Sequence, residues 1–393
     1  MTSRWRGLFL LVAVFCLFGP AWLTPAMAID LSGIKVTPSM TYEGEYDDNL
    51  FRTPSNEKSD YINHFTPGIT LEATPGNSEI KAGVKADILR YSEFTNQDTE
   101  RYYANLNSIF RFDRLELRLK EDFAHTDEFP SSELATRIKH NDNYLGGGFD
   151  YDVFERWGIG FDTTWGNIYY LDHRFDFLSE NQYTYATNFY YRITEKSRVF
   201  GEYDFVQEWF GFDQTRNDNR HRAQLGVSGD LTERLSLTAK GGYERLNFLN
   251  STQSDQNQSS FVMSLEGNYK PVERLQISLL LSQEPIPSTF ANNLVYTPFS
   301  ATLGITYAFT PKILIIPRGY FGVDRYGQAA LNADTNTQEK RLDYLYGGGL
   351  GIRYQLQKWI QLEANYDYQD RRSNFSTFNY GDNRVWFTVT LSM

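Results

Sequence analysis

From Ile34 onward, apolar and polar residues alternate along stretches of about ten to fourteen residues, the period of strands that are apolar on one face only. In one stretch Leu115, Leu117 and Leu119 alternate with Glu116, Arg118 and Lys120. In another Leu275, Ile277, Leu279 and Leu281 alternate with Gln276, Ser278 and Ser282. In a third Ile360, Leu362, Ala364 and Tyr366 alternate with Gln361, Glu363, Asn365 and Asp367. The last stretch keeps the rhythm through Val385, Phe387, Val389, Leu391 and Met393.

Two kinds of connection separate these stretches, by turns. Short ones read Phe112-Asp113-Arg114-Leu115, Phe154-Glu155-Arg156-Trp157, Thr194-Glu195-Lys196, Leu231-Thr232-Glu233-Arg234-Leu235, Val272-Glu273-Arg274-Leu275, Thr310-Pro311-Lys312-Ile313 and Leu356-Gln357-Lys358-Trp359. They recur about every forty residues, the length of one hairpin plus one long loop. Long polar ones span 49–60, 127–138, 211–219, 250–258, 329–339 and 371–382. Short and long connections exchanged so regularly predict an all-β fold, a transmembrane up-and-down antiparallel β-barrel of about eighteen strands. Its first strand is expected near Ile34 to Tyr46 and its last over Arg384 to Met393, with both ends on the short-turn side. A soluble sandwich or propeller would also alternate, but it would bury its apolar faces and seldom keep a charged face on nearly every strand.

After residue 28 no window offers the roughly twenty consecutive apolar residues of a membrane helix. The chain nevertheless holds 27 Tyr, 29 Phe and 7 Trp, a wealth that suits half-buried strands and interfacial girdles. Tyr102-Tyr103, Tyr169-Tyr170, Tyr190-Tyr191 and Trp209-Phe210 are the expected girdle pairs. Arg4 and Arg6 precede the apolar run Leu8 to Phe18 and the small-residue site Ala26-Met27-Ala28, the pattern of a cleavable secretory signal peptide over 1–28. Residues 29–393 are then the barrel. The one cysteine, Cys16, lies inside the apolar run after Val14-Phe15, which does not read as a lipidation site. Without it the chain has no thiol for a disulfide, a thiolate metal site or a nucleophile. With 49 acidic residues against 38 basic ones, nucleic acid is not an expected partner.

The first hairpin reads Tyr46-Asp47-Asp48-Asn49-Leu50-Phe51, then Ser59-Asp60-Tyr61-Ile62, then Pro67-Gly68-Ile69-Thr70-Leu71. This resembles the opening segment of the putative β-barrel porin 2 family of outer-membrane proteins, where an Asp-Asn-aromatic segment and a Ser-Asp pair precede a proline-containing second strand. The resemblance implies a Gram-negative outer-membrane location. Because members are often tied to exopolysaccharide synthesis, it also implies export of sugar polymer.

Candidate chemistry is sparse. His64, His125, His140, His173 and His221 are scattered with no i, i+2 or i, i+4 partner, so they do not form a metal motif. Asp172-His173, and His125 with Asp127, are the nearest approaches to a hydrolase dyad, and neither has a motif around it. Gly146-Gly147-Gly148 and Gly347-Gly348-Gly349 lack the following Lys-Ser or Lys-Thr of a phosphate loop and fall inside strands, where glycine relieves close approach. No catalytic residue, cofactor or metal ligand is assigned.

The alternation instead marks a lumen. It turns Lys85, Asp87, Arg111, Glu116, Arg118, Lys120, Glu202, Asp204, Lys240, Glu244, Arg318, Asp324, Arg353, Glu363 and Asp367 inward. A barrel this wide holds an aqueous channel. The expected function is therefore passage of hydrophilic solutes, or export of exopolysaccharide. The alternatives are a closed scaffold barrel of an export complex and an outer-membrane hydrolase. Expected partners are outer-membrane lipids, the barrel assembly machinery, polysaccharide and periplasmic export components. An inward fold of the loop 127–138 would narrow the channel.

Overall fold

One-sided apolar strands need a neighbour on each edge and an apolar medium on one face, and closing the sheet on itself meets both needs. The computed structural model describes residues 29–393 except 32, 132, 135 and 393. The expected signal peptide, with Cys16, lies outside the described residues, as does Met393.

The strands are β1 (Ile29–Leu31), β2 (Ile34–Asp47), β3 (Asp60–Ala73), β4 (Glu79–Tyr91), β5 (Thr99–Arg111), β6 (Leu115–Thr126) and β7 (His140–Asp152). They continue as β8 (Trp157–Tyr170), β9 (Glu180–Arg192), β10 (Ser197–Phe210), β11 (Asp218–Thr232), β12 (Leu235–Phe248) and β13 (Gln258–Val272). The last are β14 (Leu275–Gln283), β15 (Ile286–Pro287), β16 (Val295–Thr310), β17 (Ile313–Asn332), β18 (Thr337–Gln357), β19 (Ile360–Ser373) and β20 (Tyr380–Ser392). Every pairing is antiparallel and joins successive strands, with β14 pairing β16 past the two-residue β15, and β2 pairs with β20 to close the ring. Setting aside the three-residue β1 and the two-residue β15, eighteen strands form the barrel, the number read from the alternation. No helix among the described residues is long and apolar enough to cross a membrane.

Leu117, Val84, Leu225, Ile352 and Phe387 share the outward face and are exposed, as a lipid-facing band requires. The buried apolar residues form small clusters at the loop end. One joins Leu50, Ile62, Leu89 and Tyr91; another joins Ile138, Tyr170 and Leu178; a third joins Leu246, Phe248 and Val295. There the inward face turns apolar and anchors loops.

Three expectations need correcting. The segment 329–339 is not a long loop: β17 runs to Asn332 and β18 starts at Thr337, so strand pairing carries the hairpin beyond its neighbours. The segment 284–294, not among the long connections expected, is one, and it holds only the two-residue β15. The girdle pairs split, because successive side chains of a strand point to opposite faces. Tyr102, Tyr169 and Trp209 are exposed outside, whereas Tyr170, Tyr190 and Phe210 are buried inside.

Candidate functional site

The strand register carries one face around the whole ring. It joins Asp87 to Arg101, Arg111 to Glu116, Glu116 to Asp150, Asp204 to Arg222, and Arg353 to Glu363. Followed through every pairing, it places Lys85, Asp87, Arg111, Glu116, Arg118, Lys120, Glu202, Asp204, Lys240, Glu244, Arg318, Asp324, Arg353, Glu363 and Asp367 on the single face opposite the apolar band.

On that face charges meet across neighbouring strands and, for Lys240 of β12 and Glu202 of β10, over the intervening β11. Arg111 reaches Glu79 at 2.7 Å and Glu116 at 3.3 Å. Lys240 meets Glu202 at 2.5 Å, Arg222 meets Glu244 at 2.6 Å, and Arg353 meets Glu363 at 2.7 Å. Lys85 lies 4.5 Å over the Tyr103 ring, and Asp87 accepts from Thr66 and lies 3.2 Å from His64. His64 thus stands within β3 on the inner face.

The glycine triplets explain two longer pairs. Gly148 sits in register between Arg118 on one neighbouring strand and Asp162 on the other; Gly349 sits likewise between Arg318 and Asp367. Each arginine reaches over the bare glycine. Arg118 Nη2 donates to Asp162 Oδ1 at 3.1 Å, and Arg318 Nε to Asp367 Oδ1 at 2.8 Å. A Cβ at Gly349 would collide with the Asp367 carboxylate and come within 2.6 Å of the Tyr366 carbonyl oxygen.

At the loop end the lumen is crossed. The connection 127–139 follows β6, the fifth strand of the ring, and 284–294 follows β14, the thirteenth, so they arise eight strands apart in a ring of eighteen. They meet nevertheless. Glu133, buried, accepts from Ser288 Oγ at 2.7 Å, from Thr289 N at 2.7 Å and from Thr289 Oγ1 at 3.1 Å. The inward arginine Arg220 donates to the Pro285 carbonyl at 3.1 Å, and Arg216 donates to that of Ser288 at 2.7 Å. Phe290 packs edge-on against Tyr326, Phe375 and Phe378, with the Arg341 guanidinium 4.8 Å from its ring centre.

Between the 127–139 segment and the wall of β2 to β5 and β20 lies a cavity of about 530 Å³. Arg52, Arg101, Arg137 and Arg384 line it with Glu45, Asp47, Glu128, Asp382 and His64. Phe129 carries Arg52 at 4.0 Å and Arg137 at 4.8 Å from its ring centre. Burial holds the pKa of Arg52 below the ordinary arginine value. Neither Arg52 nor Arg137 forms an ion pair among the described residues. Such a mixed, half-dry constriction can discriminate solutes by charge and size.

The two hydrolase-like dyads do not assemble. Asp127 binds Arg101 at 2.7 Å, and Asp172 is held by Arg174, whose hydrogen bonds lower its pKa to about 2. His125 bonds Asn141 and His173 bonds Asp176. Arg101 and Arg384 share the inward parity of the residues selected by alternation and were legible the same way. Arg52, Glu133, Arg137, Ser288 and Phe290 lie on loops, where no period marks a direction.

Among curated proteins none matches the chain by sequence. Among solved structures, OccK2 (OpdF) of Pseudomonas aeruginosa is 12% identical, with a TM-score of 0.51 over 91% of this chain and 98% of that one. The outer membrane protein opdK of the same organism is 11% identical, with a TM-score of 0.48 over 91% and 99%. At these identities the likeness is one of barrel architecture. The profile of the family described as putative beta-barrel porin 2 matches residues 32–144 and 295–393, just over half of the chain and the strands on both sides of the closing seam. With its closed eighteen-strand barrel, its lipid-ready outer band and its charged inner face, the chain belongs to that porin family of the Gram-negative outer membrane.

Proposed function

We propose that the barrel is a channel for small hydrophilic solutes, which pass along the charged inner face and through a mouth narrowed by the 127–139 and 284–294 segments, with no covalent chemistry. The observation that carries this reading is a continuous inward face, charged on most strands and uncharged on β14 and β16, that ends at a charged cavity of about 530 Å³. Long loops face outside and short turns the periplasm, as in other barrels of this class. The fifteen inward residues named above line the passage, and the outer band meets outer-membrane lipid.

A sugar polymer needs an unobstructed bore, and Glu133 joins two loops across the mouth. Nothing in the fold or the comparisons supports export of exopolysaccharide. The same contact favours one rival, a closed barrel that serves as a scaffold. Single-channel recording of the refolded protein in a planar bilayer separates the two. A channel gives steady conductance that rises in Glu133→Ala, because the three hydrogen bonds holding the loops together are lost. Silence of both the parent and Glu133→Ala moves the assignment to the scaffold.

A further inference from the structure

Three carboxylates converge where the first and last barrel strands meet. Asp47 ends β2, Asp48 follows it, and Asp382 lies near the start of β20, with one carboxylate oxygen of each within 4.8 Å of the others. An ion with calcium–oxygen distances of 2.3–2.6 Å is spanned by oxygens up to about 4.8 Å apart.

The Asp382 carboxylate supplies a second, separate observation. The residue is 2% exposed, and its Oδ1 is buried without a hydrogen-bond donor. The nearest cation, Arg384, stands 3.8 Å from Asp382 Oδ2 and is shared with Glu45 at 3.9 Å, both beyond hydrogen-bond reach. A buried carboxylate oxygen with no donor is rare in proteins. Here it belongs to the acidic cluster.

The other two carboxylates are already oriented. Asp47 Oδ1 accepts from Asn49 N at 2.8 Å; Asp48 Oδ1 accepts from Asn383 N at 2.7 Å and its Oδ2 from Asn383 Nδ2 at 2.8 Å. Asn49 Nδ2 donates to the Thr53 carbonyl at 2.9 Å and the Gly381 carbonyl at 2.8 Å, which ties the turn to β20. Each oxygen keeps a free lone pair, so these bonds act as an outer shell that points the ligands. Asp47 and Asp382 also line the mouth cavity, which gives an ion a path in.

We infer that Asp47, Asp48 and Asp382 bind a calcium ion that clasps the barrel seam. Hard oxygen donors in an irregular set suit calcium; magnesium would demand a near-octahedral cage. The ion bridges the two strands whose pairing closes the ring, and it neutralises the acidic wall of the mouth opposite Arg52 and Arg137. The site sits at the loop end, where the outside medium supplies calcium, and weak binding of the extracellular kind suffices.

The test is calcium titration by calorimetry and thermal melting of the chelator-treated, full-length barrel folded in detergent. The parent protein should bind calcium at one site and melt several degrees higher with it. Asp382→Asn, which keeps the side-chain shape, should weaken binding by more than about tenfold and abolish the thermal gain. Asp48→Asn gives the same reading if Asp382→Asn does not fold. Absence of binding by the parent protein, or an equal calcium response in parent and variants, overturns the site. Because nothing is transported in this experiment, its failure leaves the channel reading untouched.

Discussion

Toward the short turns and toward the loops the inner face is charged alike, yet its ion pairs are wet at one end and dry at the other. Arg118, Arg198 and Arg353 pair with Asp150 or Glu363 while keeping 27%, 32% and 38% of their side-chain surface exposed. At the mouth Arg341 and Asp343 are 0% exposed and Arg371 is 1% exposed, with Asp343 accepting from both arginines at 2.7 and 2.6 Å. A hydrated pair is screened and contributes little, so the lower wall can exchange partners with a passing solute. A desolvated pair is held by geometry because neither ion can return to water, so the mouth is stiff. The barrel thus has a compliant conduit below a fixed constriction.

The sharpest way to break this contrast is to remove one carboxylate from each end. Asp343→Ala takes the shared carboxylate from two buried guanidiniums, leaving Arg371 the longer contact to Asp324 at 3.8 Å, and should cost about 3–5 kcal/mol of unfolding free energy in urea. Glu363→Gln, beside the half-exposed Arg353, should cost only about 0.2–1 kcal/mol. Equal costs would mean that the mouth is as wet as the conduit.

A smaller effect tests the glycine bridges of the conduit. Gly349→Val forces the Arg318–Asp367 pair apart and should destabilise by about 1–3 kcal/mol. Gly319, on the opposite face, has nothing within 4 Å of an added Cβ, so Gly319→Ala should be close to neutral. Denaturant midpoints of the two variants decide whether the bridge or the strand backbone needs the glycine.

The smallest effect concerns the exposed rim. Asp334 accepts from Ser376 N at 2.7 Å and Ser376 Oγ at 2.8 Å, and the backbone bond first, the hydroxyl second, lower its pKa below the usual 3.8. A carboxylate whose pKa is depressed by folding stabilises above its unfolded value and loses that contribution as pH falls through the folded value. The Ser376 amide resonance should therefore stay fixed down to about pH 4 and move only below it. Movement at higher pH would place the carboxylate free in water.

Most of the conduit was legible in the sequence. Strand number, closure and the parity of Arg118 or Glu363 follow from alternation, because a side chain two residues along a strand returns to the same face. The mouth was not. Tyr170 and Phe210 read as girdle aromatics and are buried inside, since adjacent residues must split between faces. Glu133 and Ser288 are 155 residues apart, and each sits in a loop whose direction no local pattern encodes.

By itself the sequence determined the two faces of the regularly alternating strands, since a period of two and an apolar surrounding leave one arrangement of lowest cost. Only the tertiary structure decided what fills the mouth: which loops turn inward, that Phe290 lodges beside Arg341, and that Asp47 and Asp48 meet Asp382 across the seam. Those contacts join residues far apart in the chain. Their energies depend on desolvation and on closure of the ring, and neither exists until the eighteen strands have come together.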